Sequence, residues 1–329
     1  MMRNLSILLT LWIALSSSSV AVSSAFVVPT TKYCPFRTKS RDPIAPVTTT
    51  TTAFNYHAAA FLPRSSSSSS CLYMGSWGPE PIWSNAQVLS NKPACSSEAS
   101  VSVMIQVSPE TCDQYTMPGQ YVQLRLDDDD TTKPLFLAIA NAPSSITEEE
   151  NNENNTNVFE FLIKKKTDNE WATSLTAGQT VQISQVLGNG FLFTENFNGF
   201  KYDFPTQNIL LFATGSGIAP IKAVMESNLL ELNQGRTARL YYGERCYQDI
   251  CFVEKFKEWE QAGIEVVVVL SQEDWEGRCG YVQNALEEDG VPIPRNSGAL
   301  LCGQKGMAES ITEILKTAGV FEGRILTNF

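Results

Sequence analysis

The sequence Thr214-Gly215-Ser216-Gly217 has the composition of a turn that could bring backbone amides against a phosphate group. It follows an apolar run at residues 208–213 and precedes a helical pattern that includes Pro220. Glycine allows a ligand to approach the backbone closely, and the amino terminus of a helix attracts an anion. The pattern therefore predicts a turn that binds a phosphate-bearing ligand, but Gly-Ser-Gly is about as common in turns that bind nothing.

Several other kinds of chemistry are excluded by residue type. The chain has one histidine, His57, and it lies in a segment that looks removable. This excludes a Ser-His-Asp or Cys-His nucleophile and a histidine metal site. The eight cysteines form no Cys-x-x-Cys pair, so neither an iron–sulfur cluster nor another metal site is expected. Cys246 and Cys251 could form a redox switch or simply pack, and packing is the more common role.

The charge of the chain argues against nucleic acid as a partner. The formal net charge is −11, and a phosphate backbone is bound mainly through Lys and Arg. The first 74 residues hold six of the 24 Lys/Arg and one of the 35 Asp/Glu, which leaves a net charge of −16 for the remainder. The body of the protein is therefore strongly acidic.

The amino-terminal segment has the features of a targeting sequence in two parts. Residues 5–15 form an apolar run behind a basic tip, too short to span a bilayer, and Ala25 offers a cleavage site. We assign residues 1–25 to a signal peptide and the Ser/Thr-rich residues 26–78 to a transit peptide or disordered linker. This arrangement resembles the bipartite plastid presequence of diatoms and related algae. The resemblance implies that the protein is located in the chloroplast of a complex plastid, and the alternative is secretion. We expect no stable membrane span in the mature form.

Two patterns of hydrophobic residues, one after the other, divide the body of the chain into two parts. Between residues 81 and 193, short alternating or β-branched runs predict an antiparallel β-barrel or sandwich. After Gln207, four strand–helix units and a closing strand predict a doubly wound parallel sheet, where ligands bind beyond the carboxyl ends of the strands. We therefore predict a β-barrel domain at residues 79–204 and an α/β domain at residues 205–329.

Six motifs follow one another along this body. They are PGQYV at residues 118–122, GNGF at 188–191, TGSGIAP at 214–220, YYGER at 241–245, Trp-x-Gly-x-x-Gly-Tyr-Val-Gln at 275–283 and CGQKGM at 302–307. From about Ile82 to Phe329 the set resembles the ferredoxin-NADP reductase superfamily. The resemblance implies a flavin-binding FR-type barrel, an NAD(P)-binding α/β domain, and an oxidoreductase that transfers hydride from NAD(P)H to a bound flavin. FAD is favoured, FMN is possible, and the oligomeric state is open.

The resemblance also implies roles for particular residues. Cys302 would lie beside the nicotinamide, and the terminal Phe329 would either cover the flavin as a movable gate or close the core. Other expected cofactor contacts are Ala138, Ile139, Ala140, Asn141, Gly188, Gly190, Thr214, Gly215, Ser216, Gly217, Pro220 and Gly303. A side chain at Gly217 is expected to intrude on the dinucleotide while leaving the fold intact.

The flavin side departs from the family pattern. Members usually carry Arg-x-Tyr-Ser where this chain has Leu135, Leu137 and Ala138 in the Arg, Tyr and Ser positions. The phosphate partner and the stacking ring are therefore missing, although backbone groups of residues 138–141 could still hold the ring edge. The alternative is a non-catalytic binding or regulatory protein that kept the reductase shell but lost its flavin contacts.

The choice of nicotinamide cofactor and of electron acceptor stays open. Ser271 and Tyr281 match residues that hold the 2′-phosphate of NADPH in the family, Gln272 replaces an Arg, and Arg278 could compensate. The acceptor could be a small molecule or a redox protein. Ferredoxin is disfavoured because the acidic body should repel an acidic partner. The lysine run at residues 164–166 is expected to be an exposed strand end.

Overall fold

The structure is a computed structural model that describes residues 80–126, 133–143, 157–199 and 201–328. The predicted signal and transit peptides and Phe329 lie outside these residues. The described residues all belong to one compact unit. None of the helices among them is long and apolar enough to cross a membrane.

Six antiparallel strands form a nearly closed barrel in the first half of the described chain. The strands are β1 (Trp83–Pro93), β2 (Ser100–Gln106), β3 (Tyr121–Leu126), β4 (Leu135–Ala138), β5 (Val158–Lys164) and β6 (Thr180–Ser184), with short helices α1 (Pro109–Asp113), α2 (Glu170–Thr173) and α3 (Phe193–Phe197). Their hydrogen-bonded order is β4-β3-β6-β1-β2-β5. A bridge between Ile139 and Phe161 brings the continuation of β4 against β5. In β2, the alternate residues Val101, Val103 and Ile105 are buried, as the period of a strand requires.

A parallel sheet covered by helices forms the second half. Its strands are β7 (Asn208–Thr214), β8 (Thr237–Glu244), β9 (Ile264–Leu270), β10 (Arg278–Cys279), β11 (Ser297–Cys302) and β12 (Ile325–Thr327), and its helices are α4 (Ile218–Met225), α5 (Val253–Gln261), α6 (Val282–Asp289) and α7 (Lys305–Ala318). The five middle residues of β7 are fully buried, as expected for a central parallel strand. The predicted fold class, an antiparallel barrel followed by a doubly wound parallel sheet, is confirmed.

The strand order of the parallel sheet creates a topological switch point at β7. The order is β10-β9-β8-β7-β11-β12, so the chain builds outward from β7 on one side and then returns to its other side with β11. In open α/β sheets, ligands bind in the crevice beyond the carboxyl ends of strands at such a point. A ligand site is therefore expected at the turns that follow β7 and β11.

The barrel and the parallel sheet pack against each other through an apolar cluster and through hydrogen bonds. Leu162 of the barrel belongs to the same buried cluster as Ile221 and Val224 of α4. Beside the cluster, the backbone N–H of Ser97 donates to the carbonyl of Gln248 at 2.9 Å. These contacts fix the cleft between the barrel and the strand ends of the sheet.

Candidate functional site

The turn after β7 and the end of β11 interlock at the switch point. The two strands are paired in register, with Cys302 opposite Ala213. A Cβ atom on Gly217 would overlap the carbonyl oxygen of Cys302, and one on Gly303, whose φ is +143°, would overlap the hydroxyl of Thr214. The same hydroxyl accepts a hydrogen bond from the N–H of Gln304 at 3.0 Å. Glycine at positions 217 and 303 thus allows two backbone segments about 90 residues apart to touch.

A cavity of about 1040 Å³ opens from these turns toward the barrel. One wall comes from the carboxyl ends of the parallel strands, and the other comes from β4 and β5. Ten of the predicted site residues line it: Ala138, Thr214, Gly215, Ser216, Gly217, Pro220, Ser271, Tyr281, Cys302 and Gly303. The fold therefore brings together residues that the sequence spreads over more than 160 positions.

The part of the barrel wall formed by β4 and Tyr121 is apolar and aromatic. Leu135, Phe136 and Leu137 of β4 all line it, and the Phe136 residue is 61% exposed. The ring of Phe136 lies 5.9 Å, centroid to centroid, from the ring of Tyr121, which also faces the cavity. Leu137 is almost fully buried and packs into the barrel core. A flat aromatic ligand would find hydrophobic contact here, from different residues than the family pattern supplies.

Ile139, Ala140 and Asn141 lie outside the cavity lining, unlike what the resemblance implied. The N–H groups of Ile139 and Ala140 donate to the carbonyls of Gln120 and Glu160, at 3.2 and 2.8 Å. The side chain of Asn141 donates to the carbonyl of Val158 at 3.0 Å and accepts from the N–H of Glu160 at 2.8 Å. The N–H of Ile139 is thus bonded beside β3, and the groups of Ala140 and Asn141 are bonded to β5, so these hydrogen-bonding groups are already used within the barrel.

Gly188 and Gly190 also lie outside the cavity lining, in a turn that packs on the PGQYV segment. The Gln120 side chain donates to the carbonyl of Gly188 at 3.0 Å, and Gly190 lies directly against Pro118. Tyr121 and Leu187 exchange two backbone hydrogen bonds, at 3.0 and 2.8 Å. The two motifs therefore form one structural unit that supports Tyr121 at the cavity wall.

The thiol of Cys302 lies in the cavity wall. Burial raises the pKa of Cys302 to about 11, and a hydrogen bond with the side chain of Asn328 opposes this in part. The thiol is therefore neutral at physiological pH. It can pack or donate a weak hydrogen bond, but it is not the thiolate that nucleophilic chemistry requires.

The four residues predicted around the nucleotide ribose are only partly assembled. Ser271 and Tyr281 line the cavity, while Gln272 and Arg278 lie outside its lining. The Ser271 hydroxyl donates to the carbonyl of Glu244 at 3.3 Å. Arg278 makes ion pairs with Glu288, at 2.7 Å, and with Asp289. Its guanidinium is therefore engaged with α6 and lies outside the cavity lining.

Four charged side chains in the cavity wall were missed by sequence reasoning. Lys164 and Lys166 come from the end of β5, and Glu244 and Arg245 come from the end of β8. Lys164 Nζ lies 3.7 Å from Glu244 Oε2. Burial raises the pKa of the Glu244 carboxyl, and Lys164 opposes this. The position of the YYGER motif at the end of a parallel strand was the available signal, whereas the lysines looked like an ordinary exposed strand end.

A buried lysine joins the glycine turn to the barrel. Lys222, on the helix after the turn, is 4% exposed, and its Nζ lies 2.9 Å from Glu160 Oε2 and 2.6 Å from Glu226 Oε2. The same ammonium donates to the carbonyl of Ala140 at 3.4 Å. Because Glu160 belongs to β5, this network fixes α4 relative to the barrel wall of the cavity.

Comparison with known proteins finds a matching domain family and a similar protein. Residues 211–313 match the oxidoreductase NAD-binding domain. The chain is 33% identical over 258 residues to "Fruit protein pKIWI502" of Actinidia deliciosa, a match that covers 76% of each protein.

Two solved structures share the fold at lower sequence identity. The cytochrome P450 reductase GcoB of Amycolatopsis superposes with a TM-score of 0.61 at 23% identity, over 75% of this chain and 70% of that one. A ferredoxin NADP+ reductase from Neisseria gonorrhoeae, with bound FAD and NADP, gives 0.59 at 16% identity, over 74% and 97%.

Proposed function

The chain belongs to the family of Fruit protein pKIWI502, and from this premise we propose that it is an NAD(P)H-dependent flavoprotein reductase of the ferredoxin reductase superfamily. The bound flavin would be FAD, the flavin in the gonococcal structure, with FMN as the alternative. One observation carries the proposal: the interlocked turns after β7 and β11 open onto the same cavity as strand β4 of the barrel.

The residues of the cavity fit a flavin, although not through the usual contacts. Leu135, Phe136 and Tyr121 offer an apolar and aromatic wall for a ring system. Lys164, Lys166 and Arg245 offer positive charge for phosphate groups. At about 1040 Å³ the cavity is at the upper end of the range of small-molecule sites, which run to about 1,000 Å³. Leu135, Leu137 and Ala138, in place of the family's Arg, Tyr and Ser, therefore remove three particular flavin contacts. The remaining residues of the cavity still suit a flavin chemically.

The chain's own contribution would be to hold the two cofactors in position. The turn at residues 214–217 and Arg245 would bind the dinucleotide phosphates, and Cys302 and Gly303 would border the nicotinamide. The neutral thiol of Cys302 would add no charge beside the reacting ring. A flavin, when bound, accepts hydride from NAD(P)H and passes electrons on to the acceptor. Packing of the barrel on the sheet would limit the access of water.

Absorption spectroscopy tests the proposal. The purified protein is expected to absorb at about 450 nm, the flavin band. Anaerobic NADH or NADPH should then bleach that band. Chromatography of the heat-released flavin separates FAD from FMN. A protein that neither retains nor binds a flavin would instead support a binding or regulatory role.

For localisation, we propose that residues 1–78 direct the protein to a plastid. Support comes from the apolar run at residues 5–15 and from the basic, Ser/Thr-rich composition that follows. Residues 1–78 fused to a fluorescent protein should reach the plastid of an alga with complex plastids, and residues 1–25 alone should stop in the secretory pathway. Secretion of both fusions would contradict the proposal.

A further inference from the structure

Positive charge in the cavity wall is divided between the barrel and the parallel sheet. Among the described residues that line the cavity, the cationic side chains are Lys164, Lys166 and Arg245. Arg245 follows β8 of the sheet, whereas Lys164 is the last residue of β5 of the barrel and Lys166 lies two residues beyond it. Strand β4 contributes none, because position 135 holds leucine. A phosphate group on the barrel side of the cavity would therefore meet the lysines.

The loop that carries the lysines is fixed by a buried side chain. Asn169 is 7% exposed and lies in the same cavity wall. Its amide nitrogen donates to the carbonyl of Lys164 at 2.9 Å, and its amide oxygen accepts from the N–H of Lys166 at 2.8 Å. Lys165, between them, lies outside the cavity lining, and its N–H donates to the carbonyl of Ala99 at 2.8 Å. The backbone thus presents two of three consecutive lysines to the cavity.

These lysines retain capacity for an anionic ligand. Lys164 lies 3.7 Å from Glu244, a separation at which the ion pair is loose, and Glu244 is the only carboxylate side chain among the described lining residues. No carboxylate within the described part of the chain lies within ion-pair distance of Lys166. An ammonium group is a compact point charge that suits the oxygens of a phosphate.

We infer that Lys164 and Lys166 bind the phosphate groups of the flavin and take over the role of the arginine that Leu135 replaces. This inference rests on the proposed flavoprotein function. It assigns the phosphates of the nicotinamide dinucleotide to the other wall, where Arg245 and the turn at residues 214–217 lie. The ligand class is a flavin phosphate ester, either the monophosphate of FMN or the pyrophosphate of FAD.

Titration of flavin-free protein with riboflavin, FMN and FAD separates the ring from the phosphate. Lys164→Gln and Lys166→Gln should each weaken FMN and FAD binding by about tenfold, and the double variant by more. Riboflavin has no phosphate, so its affinity should stay within twofold of the wild type. Lys165→Gln is the matched control, because it removes the same charge from the same loop, and it should leave all three affinities unchanged. Thermal melting of each variant checks folding.

Each of the other outcomes has a distinct meaning. Equal losses for riboflavin and FMN would show that the lysines act on the fold, and unchanged FMN and FAD affinities would show that they do not contact the phosphate. Loss of NADH affinity with intact flavin binding would assign the lysines to the dinucleotide. All three results overturn the inference while the flavoprotein function stands. A wild-type protein that binds none of the three flavins would overturn the proposed function itself.

Discussion

Gly217 packs directly against the carbonyl group of Cys302, with no room between them for a Cβ atom. The two residues lie 85 positions apart, Gly217 in the turn after β7 and Cys302 at the end of β11, and these two strands are paired in register. The contact therefore ties the glycine turn after β7 to the end of β11. A side chain at position 217 would meet the protein's own backbone, so the expectation that it would intrude only on the ligand is wrong.

The first prediction is that Gly217→Ala destabilises the protein. The new methyl group must push the end of β11 away, which should cost about 1–3 kcal/mol, as overpacking does elsewhere. The displaced strand end should also weaken dinucleotide binding. Thermal melting and nucleotide titration measure the two effects. Gly306→Ala is the control, because a Cβ there meets open space at the start of α7, and its melting temperature should not fall.

Cys302 provides the second prediction. Burial raises the pKa of Cys302 to about 11, so alkylation by iodoacetamide should be slow near neutral pH and should keep rising about tenfold per pH unit up to about pH 9.5. Peptide mapping by mass spectrometry follows this residue alone. The unfolded chain is the control, since its thiols titrate near their ordinary pKa. A plateau below about pH 9 in the folded protein would contradict the burial of the thiol.

The third prediction concerns the pH dependence of stability at Glu244. Burial raises the pKa of this carboxyl in the folded state above its unfolded value of 4.5. At pH values between the unfolded and the folded pKa, the folded state binds more protons than the unfolded state. The stability of the fold is therefore lost as the pH rises through the pKa of the folded state. Glu244→Gln removes this titration.

The melting temperature of Glu244→Gln relative to wild type should therefore improve as the pH is raised from about 4.5 to about 8. Differential scanning calorimetry at several pH values measures the trend. A difference between Glu244→Gln and wild type that stays constant across the pH range would mean that Lys164 fully compensates the buried charge.

Nucleotide choice supplies the fourth prediction. Gln272→Arg, next to Ser271 at the cavity, should shift the ratio of specificity constants toward NADPH by more than tenfold, about 1.4 kcal/mol. Arg278→Gln should leave that ratio unchanged, because Arg278 is paired with Glu288 and Asp289. Steady-state kinetics with NADH and NADPH measure both. An unchanged ratio for Gln272→Arg would show that Ser271 and Tyr281 do not surround the ribose.

The fifth prediction is that Lys222→Met is strongly destabilising. It leaves Glu160 and Glu226 without their shared cation at the contact between α4 and the barrel, and breaking a buried ion pair typically costs about 3–5 kcal/mol. Lys222→Arg should be much less destabilising than Lys222→Met, because it keeps a cation at this position. Lys255→Met, which removes an exposed pair with Glu258, should cost less than about 1 kcal/mol. Denaturant unfolding measures all three, and similar costs for Lys222→Met and Lys255→Met would contradict the bridging role.

The amino-acid sequence by itself determined the fold class and the location of the glycine turn. Hydrophobic periodicity is a local property, so the alternation in Ser100–Gln106 and the apolar run ending at Ala213 identify strands without any knowledge of their neighbours. Position at the carboxyl end of a parallel strand then predicts a ligand site.

Only the tertiary structure decided which polar groups remain free to serve that site. The N–H groups of Ile139 and Ala140 are taken up by barrel closure, and Arg278 is held by α6, because residues of other elements are packed against them. Lys164 and Lys166 face the cavity because Asn169 fixes the loop between them. Hydrogen-bonding capacity and direction depend on which groups the packed chain brings within about 3 Å, and no local pattern carries that information.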